Sequence, residues 1–153
     1  MLIQIFLAIL AALGFGILFG LKGKNLLFAS LSGGIGWFFY VLCARFRYET
    51  LGCLTGAVAM TVYSEIAARK LRSPAITFLI GGLIPLVPGS GVYYTMFNLI
   101  TKNTQEAMER GLASLMTAGA IAVGILIGST FCRIYYKLIK KMIGNKKNQE
   151  GSS

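Results

Sequence analysis

Gly81-Gly-Leu-Ile-Pro85-Leu-Val-Pro88-Gly89-Ser90-Gly91-Val-Tyr93-Tyr94-Thr95-Met-Phe-Asn98 lies in the middle of an apolar run from Ala75 to Ile100. Two prolines and four glycines at these positions preclude one plain helix. A proline removes a backbone donor and clashes with the carbonyl one turn earlier, and Pro88-Gly89-Ser90-Gly91 has the composition of an unwound link. The run therefore reads as two half-helices, roughly Ala75 to Ile84 and Ser90 to Ile100. Backbone broken at membrane depth is tolerated only where protein buries it or water lines it, so the break marks either a structural kink or a cavity.

The surrounding sequence sets that break in a membrane. Of the 153 residues, 56% are hydrophobic and 13% charged, against roughly 25% charged in a soluble domain. Five windows, Leu2 to Leu21, Leu26 to Ala44, Thr50 to Ala68, Ala75 to Ile100 and Gly111 to Tyr136, are each long enough to cross a hydrocarbon core about 30 Å thick. Little is left for a separate soluble domain. The windows are too long and too continuously apolar for barrel strands, so the expected class is an all-α membrane protein of about five transmembrane helices, the fourth discontinuous. One transmembrane domain is expected over residues 1–143. Residues 144–153, polar and without an apolar period, are expected to be a disordered tail.

Charge orients the chain. Net charge is +10, from fifteen Lys and Arg against five Glu. Under alternate crossings, Lys22, Lys24, Arg69, Lys70, Arg72, Arg133, Lys137, Lys140, Lys141, Lys146 and Lys147 fall on one side; Arg45, Arg47, Lys102 and Arg110 fall on the other. The inside-positive bias then places the amino terminus outside and the carboxyl terminus in the cytoplasm of a cell (inner or plasma) membrane. The same bias explains the basic balance without nucleic acid. With no His, no Asp and three scattered cysteines, Cys43, Cys53 and Cys132, no metal, cofactor or enzyme chemistry is indicated.

A half-helix beginning near Ser90 would aim the amides of Gly89, Ser90, Gly91 and Val92, with the positive dipole end, toward the midplane, a place for a carboxylate. Pro85 and Pro88 shape the break, and Tyr93, Tyr94, Thr95 and Asn98 lie within two turns to supply polar contacts. Glu65 is the acid well inside a window. It is read either as a helix-surface partner of Arg69 one turn on or as a proton-coupling group; on the second reading Glu65→Gln abolishes coupled transport in a folded protein. Small-xxx-small spacing at Gly16/Gly20, Gly52/Gly56 and Gly124/Gly128, with Gly33, Gly34 and Gly36, fits close packing within one bundle or a face for a partner chain. Trp37, Phe38, Phe39, Tyr40 and Tyr48, with Tyr135 and Tyr136 near the inner end of the last span, read as interfacial aromatic belts, an aromatic substrate site being the alternative. Asn103 with Glu106 three residues on reads as a capping box for the last helix.

Ser64-Glu65, the basic loop after it, Pro74 and the segment Gly81 to Tyr94 resemble the carboxyl-terminal membrane module of the threonine/serine exporter family, which in some organisms is a separate small subunit of a split exporter. The resemblance is specific around Pro85, Pro88, Gly89 and the polar positions that follow. It implies secondary export of small carboxylate-bearing metabolites, either threonine and serine or a dicarboxylate such as succinate. It also implies a larger membrane subunit of the same family as hetero-oligomeric partner, with a homo-oligomer as the fallback. The competing class is a non-transporting membrane scaffold that stabilises or inserts that partner.

Overall fold

The computed structural model describes residues 2–45 and 49–150, with side chains through residue 140. Tyr48 of the expected belt and Arg47 of the charge allocation lie outside the described residues. Regular structure among the described residues is entirely helical. α1 spans Leu2–Leu18, α2 Lys24–Ala44, α3 Glu49–Leu71, α4 Ala75–Leu83, α5 Gly89–Ile100 and α6 Thr104–Glu150, with a 3-10 turn at Ile84–Leu86. Three helices, α2, α3 and α6, are individually long and apolar enough to cross a membrane. The pair α4 and α5 passes the same test together, bent by 50° at the Pro88 break, and adds a fourth if the pair is one span. α1, at 17 residues, sits at the short end of the spanning range.

Helix ends are set by local chemistry. After α1, the Gly20 N–H donates to the Ile17 carbonyl and the Leu21 N–H to the Gly16 carbonyl, both at 2.9 Å, with Gly20 at φ +73°. This is the Schellman closure, in which a left-handed residue turns the chain back over the last carbonyls. Gly20 is therefore a helix stop and not half of a packing pair with Gly16. α5 closes the same way through Lys102 at φ 61°, with Lys102 N–H to Leu99 O and Asn103 N–H to Asn98 O; Arg72, at φ 52°, closes α3. A side chain in the left-handed region costs roughly 1–2 kcal/mol, part of which glycine recovers. Lys102→Gly is expected to raise the thermal midpoint of the purified chain by a few degrees, and an unchanged or lower midpoint would contradict this reading of the turn.

At the start of α6, Asn103 occupies the cap position, and its carbonyl accepts from the Ala107 N–H at 3.1 Å. No side-chain capping bond of Asn103 or Glu106 is present among the described residues, so the expected box reduces to the residue order. The backbone of α6 is described as far as Glu150.

The interior is built from glycine and alanine. A Cβ on Gly56 would meet the Gly36 carbonyl at 2.7 Å where α2 crosses α3, and one on Gly33 would meet the Ala12 Cβ at 2.7 Å where α1 crosses α2. A Cβ on Gly52 would lie 3.0 Å from the Tyr40 carbonyl and one on Gly81 2.8 Å from the Ala29 carbonyl, and Gly124 and Gly128 seat α6 on α3. Glycine spacing thus serves packing within the bundle. Without a hydrophobic difference between side chains and lipid tails, such close backbone approach is what van der Waals cohesion in a membrane requires. Where α2, α3 and α4 meet, the buried Ser32 and Ser64 hydroxyls share a hydrogen bond of 3.2 Å, and Gly82 leaves no room for a side chain beside Ser32 and Met60.

Buried positions on α6 fall at Ala107, Ser114, Ile121 and Gly128, one per seven residues, with Gly124 and Cys132 between and beyond. That seam is narrow. Leu112, Leu115, Met116, Leu126, Phe131 and Leu138 face outward from it, as a helix bordered by lipid requires.

Candidate functional site

The break in the fourth span opens onto a cavity of about 330 Å³. α4 ends at Leu83, the 3-10 turn carries Pro85 and Leu86, and Val87 extends before Pro88 restarts the helix. One wall is this segment, with Pro85, Leu86, Val87, Pro88, Ser90, Gly91 and Tyr94. α2 contributes Trp37 and Tyr40, α3 contributes Glu49 and Cys53, and α6 contributes Arg110, Ala113, Ser114 and Thr117. Leu86 and Cys53 also belong to a core cluster with Ala57, Met60 and Ile121, so the cavity floor is tied to the best-packed part of the bundle.

Of the four amides expected at the start of α5, two are committed. The Gly89 N–H donates to the Val87 carbonyl at 2.7 Å and the Val92 N–H to the Pro88 carbonyl at 3.2 Å. Pro88 itself, as the cap, offers no side-chain hydrogen bond. That leaves the Ser90 and Gly91 amides as the donors of the first turn, and both residues line the cavity. Gly91 sits against α6 so closely that an added Cβ would collide with the Ser114 hydroxyl. Ser114 in turn donates to the Arg110 carbonyl at 2.8 Å, fixing its rotamer within its own helix.

The other expected site residues divide. Pro85, Pro88, Ser90, Gly91 and Tyr94 line the cavity. Gly89 lies at the break beside it, exposed, with open space where a Cβ would stand. Tyr93 faces outward and stacks on Phe97 with ring centres 6.4 Å apart. Thr95 donates to the Gly91 carbonyl at 2.7 Å and packs on Gly111. Asn98 is buried and takes part in closing α5 through its carbonyl. Glu65 is elsewhere. It lies 16 residues along α3 from Glu49, about 24 Å, and pairs with Arg69 at 3.6 Å. Arg69 stacks on the Tyr136 ring at 3.7 Å.

Sequence reading missed the cavity's charged groups and favoured a belt over a substrate site for Trp37. Arg110 lies over the Tyr94 ring at 5.3 Å, so its cation is held at the cavity wall. Glu49 supplies an acid in the same space. The Trp37 indole N–H is buried and has no hydrogen-bond partner among the described residues, and its ring packs on Tyr40 at 4.9 Å. A buried donor without a partner beside a cavity is a group available to a ligand. Together the wall offers a guanidinium, two helix-start amides, an indole N–H, hydroxyls of Ser90, Ser114 and Thr117, and one carboxylate. That set suits a small molecule bearing an anionic group, and no metal-binding cluster of His, Cys, Asp or Glu occurs among the described residues.

Residues 4–131 match the family model described as "Threonine/Serine exporter, ThrE". A curated protein of Corynebacterium glutamicum named "Threonine/serine exporter" is 24% identical over 110 residues, which is 72% of this chain and 22% of that protein. The chain thus spans about a fifth of the length of that relative. No solved structure matches.

Proposed function

We propose a function that proceeds from one fact: this chain belongs to the threonine/serine exporter family. Within a multi-pass membrane exporter, the chain holds the substrate at the broken fourth span. The carboxylate lies on the Ser90 and Gly91 amides and the Arg110 guanidinium, with the Trp37 indole N–H as a further donor. Glu49 faces the substrate's ammonium group, and the hydroxyls of Ser90, Ser114 and Thr117 meet its side-chain oxygen. The observation that carries this reading is the pairing of one cation and one acid in a single cavity. A zwitterionic hydroxy amino acid satisfies both charges, whereas a dicarboxylate such as succinate would set its second anion near Glu49 at a cost of like-charge repulsion.

A larger membrane subunit of the same family is the proposed partner, which the exposed apolar face of α5, with Val92, Tyr93, Met96 and Phe97, supports. The scaffold reading has no use for an unpartnered indole and a guanidinium in one cavity. The orientation proposed is amino terminus outside and carboxyl terminus in the cytoplasm, in the inner or plasma membrane.

The two acids separate experimentally. Labelled threonine and succinate efflux is measured from cells producing the chain with its larger partner. Glu49→Gln is expected to lower threonine efflux by about tenfold or more and to narrow the preference over succinate, because the ammonium loses its counter-charge. Glu65→Gln, outside the cavity, is expected to leave that preference unchanged. Loss of all transport in folded Glu65→Gln, with Glu49→Gln active, would return the coupling role to Glu65 and take the acid's role from Glu49.

A further inference from the structure

Far from the substrate cavity, at the other end of α3, a second cavity of about 520 Å³ opens between α3 and α6 and is lined by Arg69, Arg133, Tyr136, Lys137, Ile139 and Lys140. Four cations converge on one space. On α6 they follow helical spacing, Arg133, Lys137 and Lys140 with Tyr136, so that one face is basic. Arg69 reaches in from α3 and is held by the Tyr136 ring at 3.7 Å and by Glu65 at 3.6 Å. Glu65 is the one acid beside this cavity among the described residues. Glu49 is about 30 Å away along α3, and Glu106 and Glu109 lie in the first turns of α6. The site therefore keeps most of its positive charge. Beside the basic face runs an apolar one, Phe131, Ile134, Tyr135 and Leu138, each more than half exposed.

We propose that this cavity binds the phosphodiester headgroup of an anionic phospholipid, with the acyl chains along the Phe131 to Leu138 ridge. Basic pockets between membrane helices at the surface of a leaflet attract such headgroups, and here the anion site and the apolar ridge are neighbouring stripes of one helix. A free phosphate would use the cations and leave the ridge bare. Tyr136 orients Arg69 into the cavity without neutralising it, and Glu65 acts as a positioning residue for the same guanidinium.

The test uses the purified full chain in detergent, with apparent affinities for phosphatidylglycerol and phosphatidylcholine of equal acyl length read by native mass spectrometry. Phosphatidylglycerol is expected to bind about tenfold or more tighter than phosphatidylcholine. The double variant Arg133→Gln/Lys137→Gln removes two cations from the exposed surface and is expected to lose about 30-fold for phosphatidylglycerol, near fivefold per cation at an anionic surface. The matched double variant Lys22→Gln/Lys24→Gln removes the same charge elsewhere and is expected to change it less than about threefold. Equal affinity for the two lipids, or equal losses in the two double variants, would overturn the site. Displacement of phosphatidylglycerol by millimolar inorganic phosphate would overturn the lipid as its occupant.

Discussion

Arg110→Gln is expected to lower threonine efflux by about 100-fold or more while the chain remains folded and inserted. Among the described residues the guanidinium is the one permanent cation lining the cavity at the broken span, and its described contact is the Tyr94 ring at 5.3 Å, so truncation removes little from the fold. What it removes is a charge-assisted fork for a carboxylate. Arg110 is exposed in the structure, and a bound substrate is what would desolvate it; losing one partner of a charge pair so covered costs about 2–5 kcal/mol, which spans roughly 30-fold to several thousand-fold in binding, and 100-fold lies toward the cautious end. Arg110→Lys keeps the charge and loses the planar geometry, and an intermediate loss near tenfold is expected. The same rates read with succinate show whether the cation serves any carboxylate. Efflux by Arg110→Gln at the unsubstituted rate would remove the guanidinium from the site and leave only the helix-start amides to hold the anion.

Why Arg110 and Glu49 escaped sequence reading has a physical answer. The broken helix was legible because Pro85, Pro88 and Gly89 act locally, on the residues next to them, and the structure places the half-helices at Ala75–Leu83 and Gly89–Ile100. Charges at span ends have a general cause in topology, so their presence in the sequence does not by itself mark a site. Arg110 is 22 residues from Pro88, and Glu49 is 39 residues before it; their meeting depends on how α3 and α6 sit against the break. That seating is decided by close approaches such as the Ser114 side chain on Gly91. Trp37 and Tyr40 were read as belt aromatics for a similar reason, since an interfacial ring and a cavity ring have the same sequence signature. Glycine spacing told which helices would pack closely, but only the crossings separate Gly124, which abuts α3, from Gly119, which meets nothing.

That contrast supports the second large effect. Gly124→Leu is expected to unseat α6 from α3 and lower the thermal midpoint of the purified chain by about 10 °C or more, whereas Gly119→Leu leaves it unchanged or slightly raised. A Cβ at position 124 would lie 2.7 Å from both the Ala57 Cβ and the Leu54 carbonyl, and one at 128 would lie 2.9 Å from the Thr61 Cβ and 3.1 Å from the Val58 carbonyl. Backbone oxygen and a buried alanine of zero exposure have nowhere to move, so relief must come from separating the helices. Overpacking commonly costs 1–3 kcal/mol, and a four-carbon side chain against backbone belongs at the top of that range or above it. The loss is also functional. α6 carries Arg110, Ser114 and Thr117 into the cavity at the broken span, two to four turns from Gly124, and its seam on α3 sets where they arrive. Threonine efflux should therefore fall in Gly124→Leu at temperatures where the protein is still inserted and folded. A normal thermal midpoint for Gly124→Leu would mean that α6 does not lie on α3 through this glycine pair.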